Sequence, residues 1–168
     1  QLSAAYFSDE DIDRLKQGAN HPWFEVQYLP AAGFVSTLMK PDEDGNIELL
    51  AGGVYIHGFD RGEAFRFDAA AAATLPDELG DEHIVLAESL AEQLDASIGD
   101  AVFAVDRAGA RLSLTVAGIV PEHGLTGYRG IDRSRYTAVV SLETARRLAG
   151  AAPGEYTNVY LSGKPAFF

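Results

Sequence analysis

No cysteine occurs anywhere in the 168 residues. Disulfide staples, cysteine-bound zinc and a thiolate nucleophile are thereby excluded. No apolar run approaches the ~20 residues of a membrane-spanning helix, and no segment reads as a secretory signal. Basic residues are few: 13 Lys and Arg stand against 25 Asp and Glu, a formal net charge of −12. A field of that sign repels phosphate backbones and anionic headgroups, so neither nucleic acid nor an anionic lipid surface is expected as a direct partner. Enzyme signatures are missing as well. There is no Gly-x-Ser-x-Gly elbow, no His-Glu-x-x-His and no dinucleotide-type Gly-x-Gly-x-x-Gly. Carboxylates are plentiful, but spacing gives none of them a partner for acid–base work. The chain reads as non-catalytic and without a cofactor.

Metal sites fare no better. The four histidines, His21, His57, His83 and His123, form no His-x-His or His-x-x-x-His pair, and each reads as structural or solvated. His57 and Asp60 lie three apart, too few ligands for a site. Asp9, Glu10, Asp11 and Asp13 read as the acidic start of a helix, where carboxylates meet the positive end of its dipole. Asp42, Asp44 and Asn46 imitate a calcium loop, but the glycine such a loop requires falls on Ile47. Asp44-Gly45 reads instead as a hairpin turn. No metal is expected.

What the chain does contain is centred on Ile84–Pro121. Ile84, Val85 and Leu86 form an apolar, β-prone run. Leu86, Leu90, Ala91 and Leu94 then make one stripe on a short helix over 87–94. Gly99-Asp100 turns the chain into a strand with Val102, Phe103 and Val105, and Arg107–Ala110 turns it back. Leu112, Leu114 and Val116 alternate with polar residues, the period of a half-buried strand.

The flanks extend this pattern. Ser8, with Asp11 three residues on, starts a helix that Gly18 stops, with Ile12 and Leu15 facing inward. Phe24, Val26 and Tyr28 predict a strand closed by Pro30, and 34–40 a second one. Residues 47–59 read as a long strand, bulged at Gly52-Gly53. Residues 61–82 read as a connector with one helical turn. A strand over 137–140 leads to a helix capped by Ser141 and stopped by Gly150, and Val159 and Leu161 mark a last strand. Strands dominate, helices are short and βαβ alternation is absent. The fold class is therefore α+β: a mixed sheet with short helices and a small β-rich, barrel- or sandwich-like lobe. Length suits one domain or two small subdomains.

The order of these pieces resembles a known family. "IVLAESLAEQLDASIGDAVFAV" followed by "LSLTVAGIVPEHG" is similar to the MacB-like periplasmic core domain of FtsX-like ABC transporter permeases. "LLAGGVYIHGFD" (49–60) resembles that family's strand ahead of the core. "YTAVVSLETARRLAG" (136–150) and "TNVYLSG" (157–163) resemble the strand–helix and strand that follow it. The resemblance implies one extracytoplasmic domain over residues 1–168, with 84–120 in its β-rich lobe. It implies membrane spans on both sides of an excised piece. It implies a second permease subunit and a separate cytoplasmic ATPase as partners, with an extracytoplasmic protein or a lipid as possible substrate. The alternative is a freestanding small-barrel binding module of the cell envelope, which would share the Gly-Asp turn but would not need the outer segments.

Residues 122–135, EHGLTGYRGIDRSR, carry glycines at 124, 127 and 130 but no phosphate-loop ending. Two readings stand for this stretch: a plain surface loop, or a contact for a partner. Leu125 and Tyr128 have no strand or helix pattern to bury them. Arg129 and Arg133 form a basic spot on an acidic chain. Leu125, Tyr128, Arg129 and Arg133 are the candidate partner-contact residues.

Overall fold

Local capping chemistry sets the first element. Ser8 N–H donates to the Asp11 carboxylate at 3.0 Å, and Asp11 N–H returns a bond to Ser8 Oγ at 3.2 Å. This reciprocal box satisfies two backbone donors and starts the helix. The bond from Ser8 also holds the Asp11 carboxyl below the usual range. The computed structural model describes residues 6–18, 24–130 and 134–165. Its elements are β1 (Phe7–Ser8), α1 (Asp9–Gly18), β2 (Phe24–Pro41), β3 (Ile47–Phe59), α2 (Arg61–Phe67), α3 (Ala69–Ala72), β4 (His83–Ala87), α4 (Glu88–Leu94), β5 (Ala101–Val105), β6 (Arg111–Val120), β7 (Tyr136–Val139), α5 (Leu142–Ala149), β8 (Glu155–Tyr156) and β9 (Asn158–Pro165). The architecture is α+β, as the strand-rich pattern implies.

Seven strands form one mixed sheet in the order β3-β7-β4-β6-β5-β2-β9, and β1 pairs with β8 in a small second sheet. β3 also pairs with β2, so six strands, β3-β7-β4-β6-β5-β2, close into a ring, with β9 added along the first half of β2. The β3–β7 and β4–β6 pairs are parallel, and the other pairs of the large sheet are antiparallel. The segment 84–120 supplies β4, β5 and β6, which lie side by side in this same sheet.

Alternation along the strands divides the apolar residues between two faces. Val54 and Ile56 of β3, Ile84 and Leu86 of β4, and Val102, Leu114 and Ala138 share one buried cluster with Leu90 and Leu94 of α4 and Leu148 of α5. Val85, Phe59 and Val139 point the other way. They pack with Leu29, Ala64, Ala71, Ala72 and Leu75 under the short helices α2 and α3. Each face of the sheet thus has its own core.

Most of the local punctuation matches the sequence reading. Asp42 Oδ1 accepts N–H bonds from Asp44 and Asn46, both at 2.9 Å, and shapes the β2–β3 hairpin. The register of that hairpin slips by one residue between the Ser36–Val54 and Leu38–Ala51 pairs, placing the bulge at Gly52-Gly53. Ser141 Oγ accepts from Thr144 N–H at 3.1 Å and opens α5, while Gly150 ends it in the left-handed region.

Three expectations are corrected. Pro30 does not close a strand, because β2 runs unbroken for 18 residues. The Ala31 carbonyl turns toward β9, where Thr157 N–H donates to it at 3.0 Å. Alternation turns the missing Pro30 donor to the other flank, beyond the end of β3 at Phe59, where there is no ladder bond to lose. The connector after β3 holds two helices, not one turn: Asp60 accepts from Glu63 N–H to open α2, and Asp68 accepts from Ala71 N–H to open α3. Leu15 does not face inward with Ile12. It remains 40% exposed, whereas Ile12, one turn earlier, is buried.

Gly58 marks a close approach. A Cβ there would lie 2.5 Å from the Ser141 carbonyl oxygen, where β3 and the start of α5 touch backbone to backbone. Backbone cannot swing aside as a side chain does. Gly58→Ala is therefore expected to cost about 2 kcal/mol by overpacking, read from the midpoint of urea unfolding at constant slope. An unchanged midpoint would show that this contact yields freely.

Candidate functional site

Alternation places Tyr55, His57 and Phe59 on the outward face of β3, above β2 and toward β9. Gly33 on β2 lies opposite His57, and Asn158 on β9 lies opposite Ala31. A Cβ at Gly33 would sit 2.1 Å from Tyr55 Oη. The missing side chain is the gap through which the Tyr55 ring crosses β2. Tyr55 Oη thereby reaches Tyr160 Oη on β9, at 2.7 Å.

His57 sits at the centre and is fully buried. Its Nδ1 lies 2.9 Å from Tyr160 Oη, and its Nε2 lies 2.9 Å from the Leu125 carbonyl oxygen. A carbonyl only accepts, so Nε2 carries the proton and donates it. Nδ1 of the neutral ring then accepts from the Tyr160 hydroxyl, whose oxygen accepts in turn from Tyr55. The order is Tyr55 to Tyr160 to His57 to the Leu125 carbonyl, every bond directed the same way.

Burial sets the charges. It lowers the His57 pKa to about 4, against a smaller opposing effect of the Leu125 carbonyl bond. It pushes Tyr55 up to about 12 and raises Tyr160 further. Both phenols and the imidazole are therefore neutral at neutral pH. Such a set is a poor general base and a poor nucleophile, since neither task matches pKa values displaced away from 7. Its bonds tie β3, β9 and the loop after β6 together.

That loop is held from both ends. The chain turns through a single 3-10 turn at Gly124–Thr126. Asp68 Oδ2 accepts from Leu125 N–H at 3.1 Å, while its other oxygen caps α3. Gly124 has φ +55, and a Cβ there would fall on the Asp68 carboxylate, so glycine is required twice over. Leu125 is consequently buried, and the exposure expected for it is not found. Tyr128 is half-buried. Its ring meets Tyr55 edge-on at 5.5 Å between centroids and Tyr160 at 5.1 Å. Arg129 is exposed and pairs with Glu122 at 3.1 Å, while Glu122 also accepts from Ser89 N–H. Of the four candidate contact residues, Leu125 and Tyr128 thus meet around His57, Arg129 points away from them to Glu122, and Arg133 lies outside the described residues.

Beside this cluster lies a groove of about 510 Å³, walled by Phe67, Leu125, Tyr128, Tyr160 and Leu161, with Asp68 at its edge. Tyr128 and Leu125 are therefore wall residues as well as packing residues. The network was only half visible in the sequence. Tyr55, His57 and Phe59 alternate on one strand, but nothing near them announces Tyr160. The other histidines are simpler: His83 Nδ1 accepts from Gly80 N–H at 3.1 Å, His123 is exposed, and His21 lies outside the described residues. Among the described residues no group of three or more His, Asp or Glu is placed to hold a metal ion. Compared with known proteins, the chain matches no family model and no curated protein.

Proposed function

We propose that this chain is the extracytoplasmic domain of an ABC transporter permease subunit, similar to the MacB-like core domain, and that it is non-catalytic. One observation carries the reading: four segments between residues 49 and 163 resemble that family in the family's own order. They correspond to β3, to β4-α4-β5-β6, to β7-α5 and to β9. In this reading the domain passes movement from a cytoplasmic ATPase to a substrate or partner outside, and it works beside a second permease subunit. Among the described residues no helix is long and apolar enough to cross a membrane. The reading therefore puts the spans in flanking sequence.

The test uses the protein expressed from its own gene. It should sediment with membranes, expose this domain to protease added from the outer side, and co-purify with a nucleotide-binding subunit. Recovery without membrane or ATPase would leave the second reading, a freestanding small-barrel binding module. The closed ring of six strands and its adjoining groove favour that reading.

The partner contact has its own test. The Arg129–Glu122 pair is exposed on the arginine side, so breaking it should cost well under ~1 kcal/mol. In the full protein, Arg129→Ala is expected to weaken cross-linking to the partner subunit while leaving the melting temperature of the domain in place. Full cross-linking with the variant would remove Arg129 from the interface.

A further inference from the structure

Among the described residues, the groove beside Tyr160 has one charged wall residue, and that residue is negative. Phe67, Leu125 and Leu161 supply aliphatic and aromatic surface, and Tyr128 and Tyr160 supply ring faces and edges. The volume, about 510 Å³, is that of a site for a small organic molecule. Asp68 is the one carboxylate among the described residues that line it. Among the described residues no Lys, Arg or His pairs with it, and its two hydrogen bonds come from the neutral amides of Ala71 and Leu125. A carboxylate offers about four acceptor positions, so two amide bonds leave it able to take more.

We infer that this groove binds an organic cation: an ammonium or amidinium group carried on an apolar body of roughly eight to twelve heavy atoms. Three features select that class. The walls bury apolar surface. Asp68 supplies the counter-charge. The tyrosine rings offer negative faces to a cation. The net charge of −12 adds a long-range field that draws cations and repels the matching acids. Carboxylates, phosphates and sulfonates of the same size are disfavoured by the same field and by Asp68 itself. Leu161, 62% exposed, forms the mouth, where an alkyl or aryl body enters. This inference rests on the groove alone and does not depend on the permease reading.

The test uses the 168-residue protein labelled with 15N, at pH 7 and low salt. Two probes of equal chain length, octyltrimethylammonium and octanoate, are titrated below their micelle thresholds. The ammonium should give saturable shifts at the amides of Leu125, Tyr128, Tyr160 and Leu161. Its affinity should exceed that of octanoate by about tenfold or more, and it should weaken as salt is added. Two variants separate charge from fold. Asp68→Asn should bring the two probes to similar affinity, but it also disturbs the start of α3. Leu161→Lys alters only an exposed wall, keeps the fold and puts a cation at the mouth, and should weaken the ammonium by about tenfold. Similar affinities for both probes on the unmodified protein overturn the inference, as do the absence of saturable shifts and an unchanged ammonium affinity in Leu161→Lys.

Discussion

Leu94→Ala should lower the unfolding free energy by about 2–5 kcal/mol. Leu94 is fully buried, in the cluster that holds Leu90, Val102 and Leu114. Removing its branched end loses transfer energy and leaves a cavity. The cost belongs in the upper part of that range because the surroundings cannot fall inward. Each strand of the ring is bonded on both flanks, so no wall is free to close the hole. Urea unfolding followed by far-UV circular dichroism gives the number. A loss below about half a kcal/mol would show that α4 is peripheral to the ring. Leu94→Met, which nearly conserves volume, should cost less than about 1.5 kcal/mol and serves as the control.

Acid should loosen the protein through His57. Burial lowers its folded pKa to about 4, below the ordinary value of 6.5 that the unfolded chain keeps. Between those values the unfolded chain binds more protons than the folded one, so stability rises with pH across the window and is lost as pH falls through it. The integrated loss between pH 7 and pH 4 is about 3 kcal/mol. Carboxylates titrate in the same range, so the measurement is a difference. His57→Gln can still donate to the Leu125 carbonyl and accept from Tyr160, and it carries no titrating group. Its own stability should be lower at pH 7, and the gap between it and the unmodified protein should narrow by about 3 kcal/mol on going to pH 4. A gap that stays constant would mean that His57 keeps its charge state, or that its proton is accommodated without loss.

The elements that were legible in the sequence are those whose cause is local. Ser8 with Asp11, Asp44 with Gly45, and the separate caps Ser141 and Gly150 each act on a few neighbouring residues, and the structure has a cap or turn at each. The apolar stripe of Leu86, Leu90, Ala91 and Leu94 is likewise a property of one short stretch, and all four are buried. Pro30 misled because its usual effect depends on which flank needs a donor. That flank has no ladder partner at Pro30 because β3 ends at Phe59. Asp60 with Glu63 and Asp68 with Ala71 were available as helix starts, yet an alanine run with few large apolar residues hides its inward face. The site divides in the same way. Tyr55, His57 and Phe59 alternate in plain sight, whereas Tyr160 lies over a hundred residues away and is brought there by the β2–β9 ladder. Leu125 carries no periodicity because a single turn and one carboxylate, not a helix or strand, press it inward.

The parallel pair β3–β7 has a consequence for the order in which the protein can form. Its ladder joins Val54–His57 to Tyr136–Val139 across some eighty intervening residues. A ribosome delivering the chain releases the β2–β3 hairpin early, with one edge of β3 satisfied by β2 and the other waiting. That waiting edge is covered only after β7 has left the exit tunnel. Until then the nascent chain shows an open strand rich in Tyr, Val and Ile, the kind of edge that invites pairing with a neighbour. Closing a ring across such a distance makes folding slow, since the entropy of closing the loop is lost before the β3–β7 contacts repay it. Synthesis rate and chaperone cover over the interval between residues 59 and 139 therefore bear on the yield of this domain as much as its final stability does.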